Sequence, residues 1–199
     1  MSMVNNILIR TFGHPKGVLG KLGGMVMARM NVMVYQRAIE LLDVRPHDKV
    51  LEIGFGPGVG IQLMADTVPS ISITGIDPSE KMVEQAGARN ADSLRAGLVD
   101  LRVGSVESLP FENAIFDKAL AVNSMQIWPD AIAGLREMQR VLKPGARVVL
   151  GFTRHSGQAK AGLAEVLAAA GLADAHRVDG DGCFCVMATT SGRTVKNQQ

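Results

Sequence analysis

Leu51-Glu52-Ile53-Gly54-Phe55-Gly56-Pro57-Gly58 places glycines at every second position directly behind a short apolar run. Val50, Leu51 and Ile53 read as a buried strand, and the glycines turn that strand sharply into a helix. Glycine supplies the unusual dihedrals of such a turn and lets the backbone approach a ligand closely. Glu52, just ahead of the turn, favours a ligand that carries positive charge.

Outward from this stretch the chain alternates between strand and helix signals. Val34, Ala38, Leu41 and Leu42 fall at helical spacing over 31–43, and Arg45-Pro46-His47-Asp48 breaks that helix ahead of a strand at 49–54. A helix follows the glycine turn. A second strand over 71–76 ends at Asp77, and Ser79 caps a helix running to about 95. Further strands are expected at 98–103, 115–122 and 146–152, with a helix near 130–141 whose end is punctuated by Lys143-Pro144-Gly145. An Ala-rich helix near 156–170 closes at Gly171, and Asp179-Gly180-Asp181-Gly182 reads as a hairpin between strands near 173–178 and 183–189. Such a pattern predicts an α/β fold around an open, mostly parallel sheet with one reversed edge strand.

The 199 residues suffice for one domain with a full core, and 47% apolar side chains exclude a disordered chain. The net charge of +2 points to no partner, but its distribution is uneven. No acidic residue precedes Glu40, whereas Arg10, Lys16, Lys21, Arg29 and Arg37 are basic. Few aromatics and a near-neutral body give no support to a nucleic-acid substrate. Cys183 and Cys185 are expected as buried free thiols, and no cluster of side chains suggests a metal. The start lacks a secretory pattern, so the cytoplasm is the expected compartment.

Ligands of such sheets bind at the carboxyl ends of the strands where the strand order reverses. The glycine turn and Asp77 would then face one crevice. A carboxylate after the second strand accepts both hydroxyls of an adenosine ribose, while Glu52 and Asp77 together repel a phosphate. The dinucleotide fingerprint also fails, because Val59 stands where its third glycine belongs and Pro57 has no N–H to offer. A nucleoside with no adjacent phosphate fits this site.

Val50–Gly58, Gly75-Ile76-Asp77-Pro78-Ser79, Gly104–Phe111, Phe116-Asp117 and Leu142–Gly145 occur in the order of motifs found in class I S-adenosylmethionine-dependent methyltransferases. Over roughly 45–152 the chain resembles that family, particularly the branch with the ubiquinone and menaquinone methyltransferases. The resemblance implies a Rossmann-like, open seven-stranded sheet with an antiparallel terminal hairpin and helices on both faces. It implies S-adenosylmethionine as cofactor, S-adenosylhomocysteine as product and no metal. Gly54, Gly56 and Gly58 would line the methionine and ribose, Glu52 would help hold the ammonium, and Asp77 would bind the ribose. Pro78 and Met82 would pack near adenine, and Val106 would offer its N–H to the ring. Ser105 stands where the family usually has Asp, which leaves the adenine contact without its charge. Asn123 would border the sulfonium.

The resemblance implies three divisions: a helical cap over the substrate at 1–44, a cofactor domain at 45–190 and a tail at 191–199. Met30, Gln126 and Trp128 are candidates to face a small acceptor, with packing as the alternative for Trp128. A Met-rich, basic leader suits a greasy acceptor or an anionic membrane surface, or simply packs the cap. Tyr35, Glu107 and His155 are the candidate bases, should the acceptor need to lose a proton. A monomer or a homodimer suits this reading. The alternative is a non-catalytic member that binds the cofactor or a membrane.

Overall fold

In the computed structural model, which describes residues 31–191, the strand ahead of the glycine turn lies in the interior of the sheet. Strand β1 (Lys49–Ile53) pairs in parallel with β2 (Ser72–Asp77) on one side and β4 (Phe116–Val122) on the other. Strand β2 pairs with β3 (Val99–Val103), and β4 pairs with β5 (Leu142–Thr153), all parallel. Strand β7 (Cys183–Thr190) runs antiparallel to both β5 and β6 (Leu172–Gly180). The order is therefore β3-β2-β1-β4-β5-β7-β6. The reversed strand is thus not the edge strand expected from sequence. The tight turn at Asp181-Gly182 folds β7 back between β5 and β6, leaving β6 outside.

Buried strands of a parallel sheet need apolar cover on both faces. Leu51, Ala119, Val148 and Leu150 point to one face, beneath Leu135 and Met138 of α5 (Ala131–Val141) and Leu167 of α6 (Leu163–Ala169). Val50, Leu120 and Val149 point to the other. There they meet Val34, Ala38 and Leu42 of α1 (residues 31–42), Ile61 and Met64 of α2 (Val59–Thr67), and Ala86 of α3 (Glu80–Arg89). Helix α1 sits close because Gly151 of β5 is bare; a Cβ there would lie 3.2 Å from Val34 and Val122.

Three elements depart from the sequence reading. The helix expected to reach residue 95 breaks into α3 and α4 (Ala91–Arg95) at Asn90, whose side chain donates to the Ala86 and Gly58 carbonyls. The Ala-rich helix is short: left-handed Gly157 and Gly162, at φ 79° and 75°, hold the chain out of helix until Leu163. Strand β5 begins at Leu142, so Lys143-Pro144-Gly145 lies within it, where the pairing to β4 shifts register. Both cysteines are free, with Cys185 buried and Cys183 half-buried. Among the described residues no helix is long and apolar enough to cross a membrane.

The chain leaves β3, at one edge, to lay β4 on the far side of β1. The strand order reverses there, so a crevice opens at the carboxyl ends of β1, β2 and β4. Leu120, fully buried in β4 beside that reversal, should be worth about 2–5 kcal/mol when cut to Ala. Denaturant unfolding of Leu120→Ala measures this, and a loss below about 1 kcal/mol would mean that the face is less tightly packed than described.

Candidate functional site

The glycines of the turn all take left-handed dihedrals, with φ of 68° at Gly54, 53° at Gly56 and 79° at Gly58. Their surroundings differ. A Cβ at Gly54 would collide with Ser124, whose hydroxyl donates to the Ile53 carbonyl at 2.9 Å. A Cβ at Gly58 would stand 2.7 Å from the Cβ of Ala86, with Asn90 beside it. At Gly56 a Cβ would meet nothing within 4 Å. Two glycines let the turn pack on its neighbours, and the middle one faces open space. Arg89 adds a further tie through the Pro57 carbonyl at 2.8 Å.

Asp77 fastens the turn from the other side. Its Oδ2 accepts from the Gly56 N–H and its Oδ1 from the Ser79 N–H, each at 2.9 Å. The carboxylate is 6% exposed, and charge-assisted bonds of this kind are stronger than neutral ones. Ser79 caps α3, its hydroxyl accepting from the Met82 N–H at 3.4 Å.

Beside this clamp lies a cavity of about 490 Å³, within the range of small-molecule sites. Gly54, Gly56, Asp77, Pro78 and Met82 form one side of it. Ser105, Val106, Asn123 and Trp128 also line it. The Ser105 hydroxyl is partly engaged, accepting from the Glu107 N–H at 3.3 Å. Asn123 has a left-handed backbone, and its side chain is committed to the frame. Its Oδ1 accepts from the Thr153 N–H at 2.8 Å, and its Nδ2 donates to Asn31, the first described residue of α1, at 3.0 Å.

Several sequence candidates lie elsewhere. Gly58 does not line the cavity, because it packs on α3. Gln126 does not line it either: its amide folds back to donate to the Asn123 carbonyl at 2.8 Å. Tyr35 is buried, His155 is exposed, and neither they nor Glu107 reach the lining. Met30 lies outside the described residues. Ser124 and Ile127, which lie between the candidates Asn123 and Trp128, also line the cavity, as does Pro129, which sequence reasoning missed. Ile127 is 76% exposed.

Glu52 is fully buried behind the cavity rather than in its lining. Neither carboxyl oxygen has a partner of good hydrogen-bond geometry among the described residues. Burial pushes its pKa up to about 8, the nearby Tyr35 hydroxyl works against that rise, and the Asp77 charge adds to it. Tyr35 is itself raised, first by burial and then by the Glu52 charge. Gly60 makes room for the pair, since a Cβ there would stand 2.7 Å from the Glu52 carboxyl and collide with the Tyr35 ring.

The raised pKa has a consequence for stability. Between the ordinary carboxyl value of 4.5 and about 8, the folded protein binds a proton that the unfolded chain has released. Stability must then fall as pH rises through that window and level off above it. Glu52→Gln imitates the protonated form, so the cofactor-free variant should gain on the parent between pH 5.5 and 8.5, by at most a few kcal/mol on the order-of-magnitude conversion of pKa shifts. Thermal melts of both proteins at the two pH values check this; an unchanged gap would place the proton elsewhere.

The Methyltransferase domain family matches residues 50–145, which span the turn, the clamp and most of the cavity wall. The chain is 34% identical over 129 residues to the uncharacterized methyltransferase YdaC of Bacillus subtilis, covering 65% of this chain and 69% of that protein. It is 38% identical over 114 residues to the ubiquinone/menaquinone biosynthesis C-methyltransferase UbiE of Geotalea daltonii. That match covers 57% of this chain and 48% of the UbiE protein, so the chain spans about half of that relative's length. A SAM-dependent methyltransferase from Aquifex aeolicus has the same fold, with a TM-score of 0.73 over 81% of this chain and 92% of that one at 19% identity. The chain belongs to the class I S-adenosylmethionine-dependent methyltransferases, in the branch that contains the ubiquinone and menaquinone enzymes.

Proposed function

We propose that this methyltransferase binds S-adenosylmethionine in the cavity at the carboxyl ends of β1, β2 and β4 and passes its methyl group to a small, apolar acceptor. The observation that carries the reading is the pairing of Gly56 with Asp77. A bare backbone faces open space, and beside it a carboxylate is held in place by two N–H groups. Each Asp77 oxygen uses one lone pair on the backbone and keeps another for a ribose hydroxyl. Met82, Pro78 and Val106 supply an apolar bed for the adenine, with the Ser105 hydroxyl at its rim.

S-adenosylmethionine, when bound, supplies a methyl group already activated on a sulfonium sulfur. The protein's task is to align a nucleophile with that methyl and keep water out. Ile127, Trp128 and Pro129 form an apolar wall suited to this. Asn123 acts through position, because its side chain is spent on Thr153 and Asn31. Asp77 is the one titratable side chain among the described lining residues, and it serves the cofactor. The reading of residues 1–44 as a cap is supported by the Asn31–Asn123 bond, which joins α1 to the cavity wall. An apolar acceptor of quinone, lipid or natural-product type fits that wall, with the cytoplasm as the working compartment.

Methyl transfer is tested by following S-adenosylhomocysteine release against a panel of apolar phenols, quinols and lipids. Cofactor binding with no turnover on any of them would instead support a non-catalytic role. Asp77→Ala should weaken S-adenosylmethionine at least tenfold by calorimetry, since hydrogen bonds to charged groups contribute about 1.5–3 kcal/mol. Gly56→Val, with a side chain in the open space and a strained left-handed backbone, should abolish measurable binding. Normal affinity in either variant would move the cofactor out of this cavity.

A further inference from the structure

Helix α5 carries a glycine, Gly134, near its start, and that glycine is buried. Its N–H bonds the Asp130 carbonyl at 3.0 Å as in any helix, and its φ is not left-handed. Backbone freedom therefore gives no reason for it, and glycine inside a helix is unfavourable relative to Ala. Space gives the reason. A Cβ on Gly134 would stand 2.9 Å from Cε3 of Trp128 and 2.9 Å from Cγ1 of Val106, closer than packed carbons approach. Both of those side chains line the large cavity.

We propose that Gly134 is a positioning residue that sets the depth of the cofactor cavity: its missing methyl group is the recess into which Trp128 and Val106 withdraw. The inference rests on the reading of that cavity as the S-adenosylmethionine site. The backbone that carries each side chain is held in place. The Trp128 backbone N–H donates to the Met125 carbonyl at 3.1 Å, and two residues later Asp130 caps α5 through the Ala133 N–H at 3.0 Å. Val106 is 6% exposed, in a segment that Arg140 fastens through the Leu109 and Phe111 carbonyls at 3.0 and 2.7 Å. A methyl group at position 134 drives the indole toward the cavity, and the cofactor loses that room.

Gly134→Ala tests this, and the chain's single tryptophan makes the test direct. The variant should bind S-adenosylmethionine at least fivefold more weakly by calorimetry. Its cofactor-free Trp128 emission should shift to the red as the ring moves toward the open cavity. In a Trp128→Leu background the same change should alter affinity less than twofold. Wild-type affinity and emission in Gly134→Ala would overturn the proposal, as would an equal loss of affinity in the Trp128→Leu background. Should Gly134→Ala fail to fold, the double variant decides: folding and binding like Trp128→Leu alone support the recess, and failure to fold refutes it. If the parent protein itself does not bind S-adenosylmethionine, the reading of the cavity falls. The emission of cofactor-free Gly134→Ala then still judges the recess, supporting it if shifted and refuting it if unchanged.

Discussion

One carboxylate organises this site. Asp77 ends β2, accepts the Gly56 N–H across the crevice and accepts the Ser79 N–H at the start of α3. Without those two bonds, three alternating left-handed glycines would be held only at their flanks. With them, the open face of Gly56 is fixed beside a charged acceptor. A flexible turn thereby becomes one wall of a preformed cavity, which lowers the ordering cost of binding. The same residue that shapes the turn is the residue that offers its remaining lone pairs to a ligand, so structure and recognition share a single group.

The remaining contacts hold the turn against that clamp. Ser124 presses on Gly54 from the loop after β4, Arg89 and Asn90 reach the turn from the end of α3, and Tyr35 reaches Gly60 from α1. Each contact comes from a different element, so the sheet order matters. Only a reversal between β1 and β4 brings β4, β2 and α3 to the same turn. Behind the turn, Glu52 is buried without a well-formed hydrogen bond among the described residues, and burial holds it largely neutral at neutral pH. Asp77 is then the main negative charge facing the cavity, which suits a cationic cofactor without crowding two carboxylates together.

What the sequence made legible was local in origin. The glycine spacing, the Asp77-Pro78-Ser79 helix start and the Asp181-Gly182 turn are each encoded within a few residues, and each occurs where expected. What stayed hidden depends on which surfaces the fold brings together. Nothing near Gln126 reveals that its amide turns back on Asn123, and nothing near Asn90 reveals that it reaches Gly58 and splits a helix. Of the three candidate bases, the fold puts Tyr35 under α2 and leaves His155 and Glu107 off the cavity. Glu52 was read as a carboxylate facing the ligand, whereas the fold buries it behind the cavity beside Tyr35, which sits 17 residues earlier in a different element.

A crystal structure with S-adenosylhomocysteine tests the central claim most directly. The account predicts ribose hydroxyls bonded to Asp77, with the Gly56 and Ser79 N–H bonds to that carboxylate still in place and the ligand backbone running past Gly56. A ligand bound elsewhere, or a ribose that makes no contact with Asp77, would contradict it.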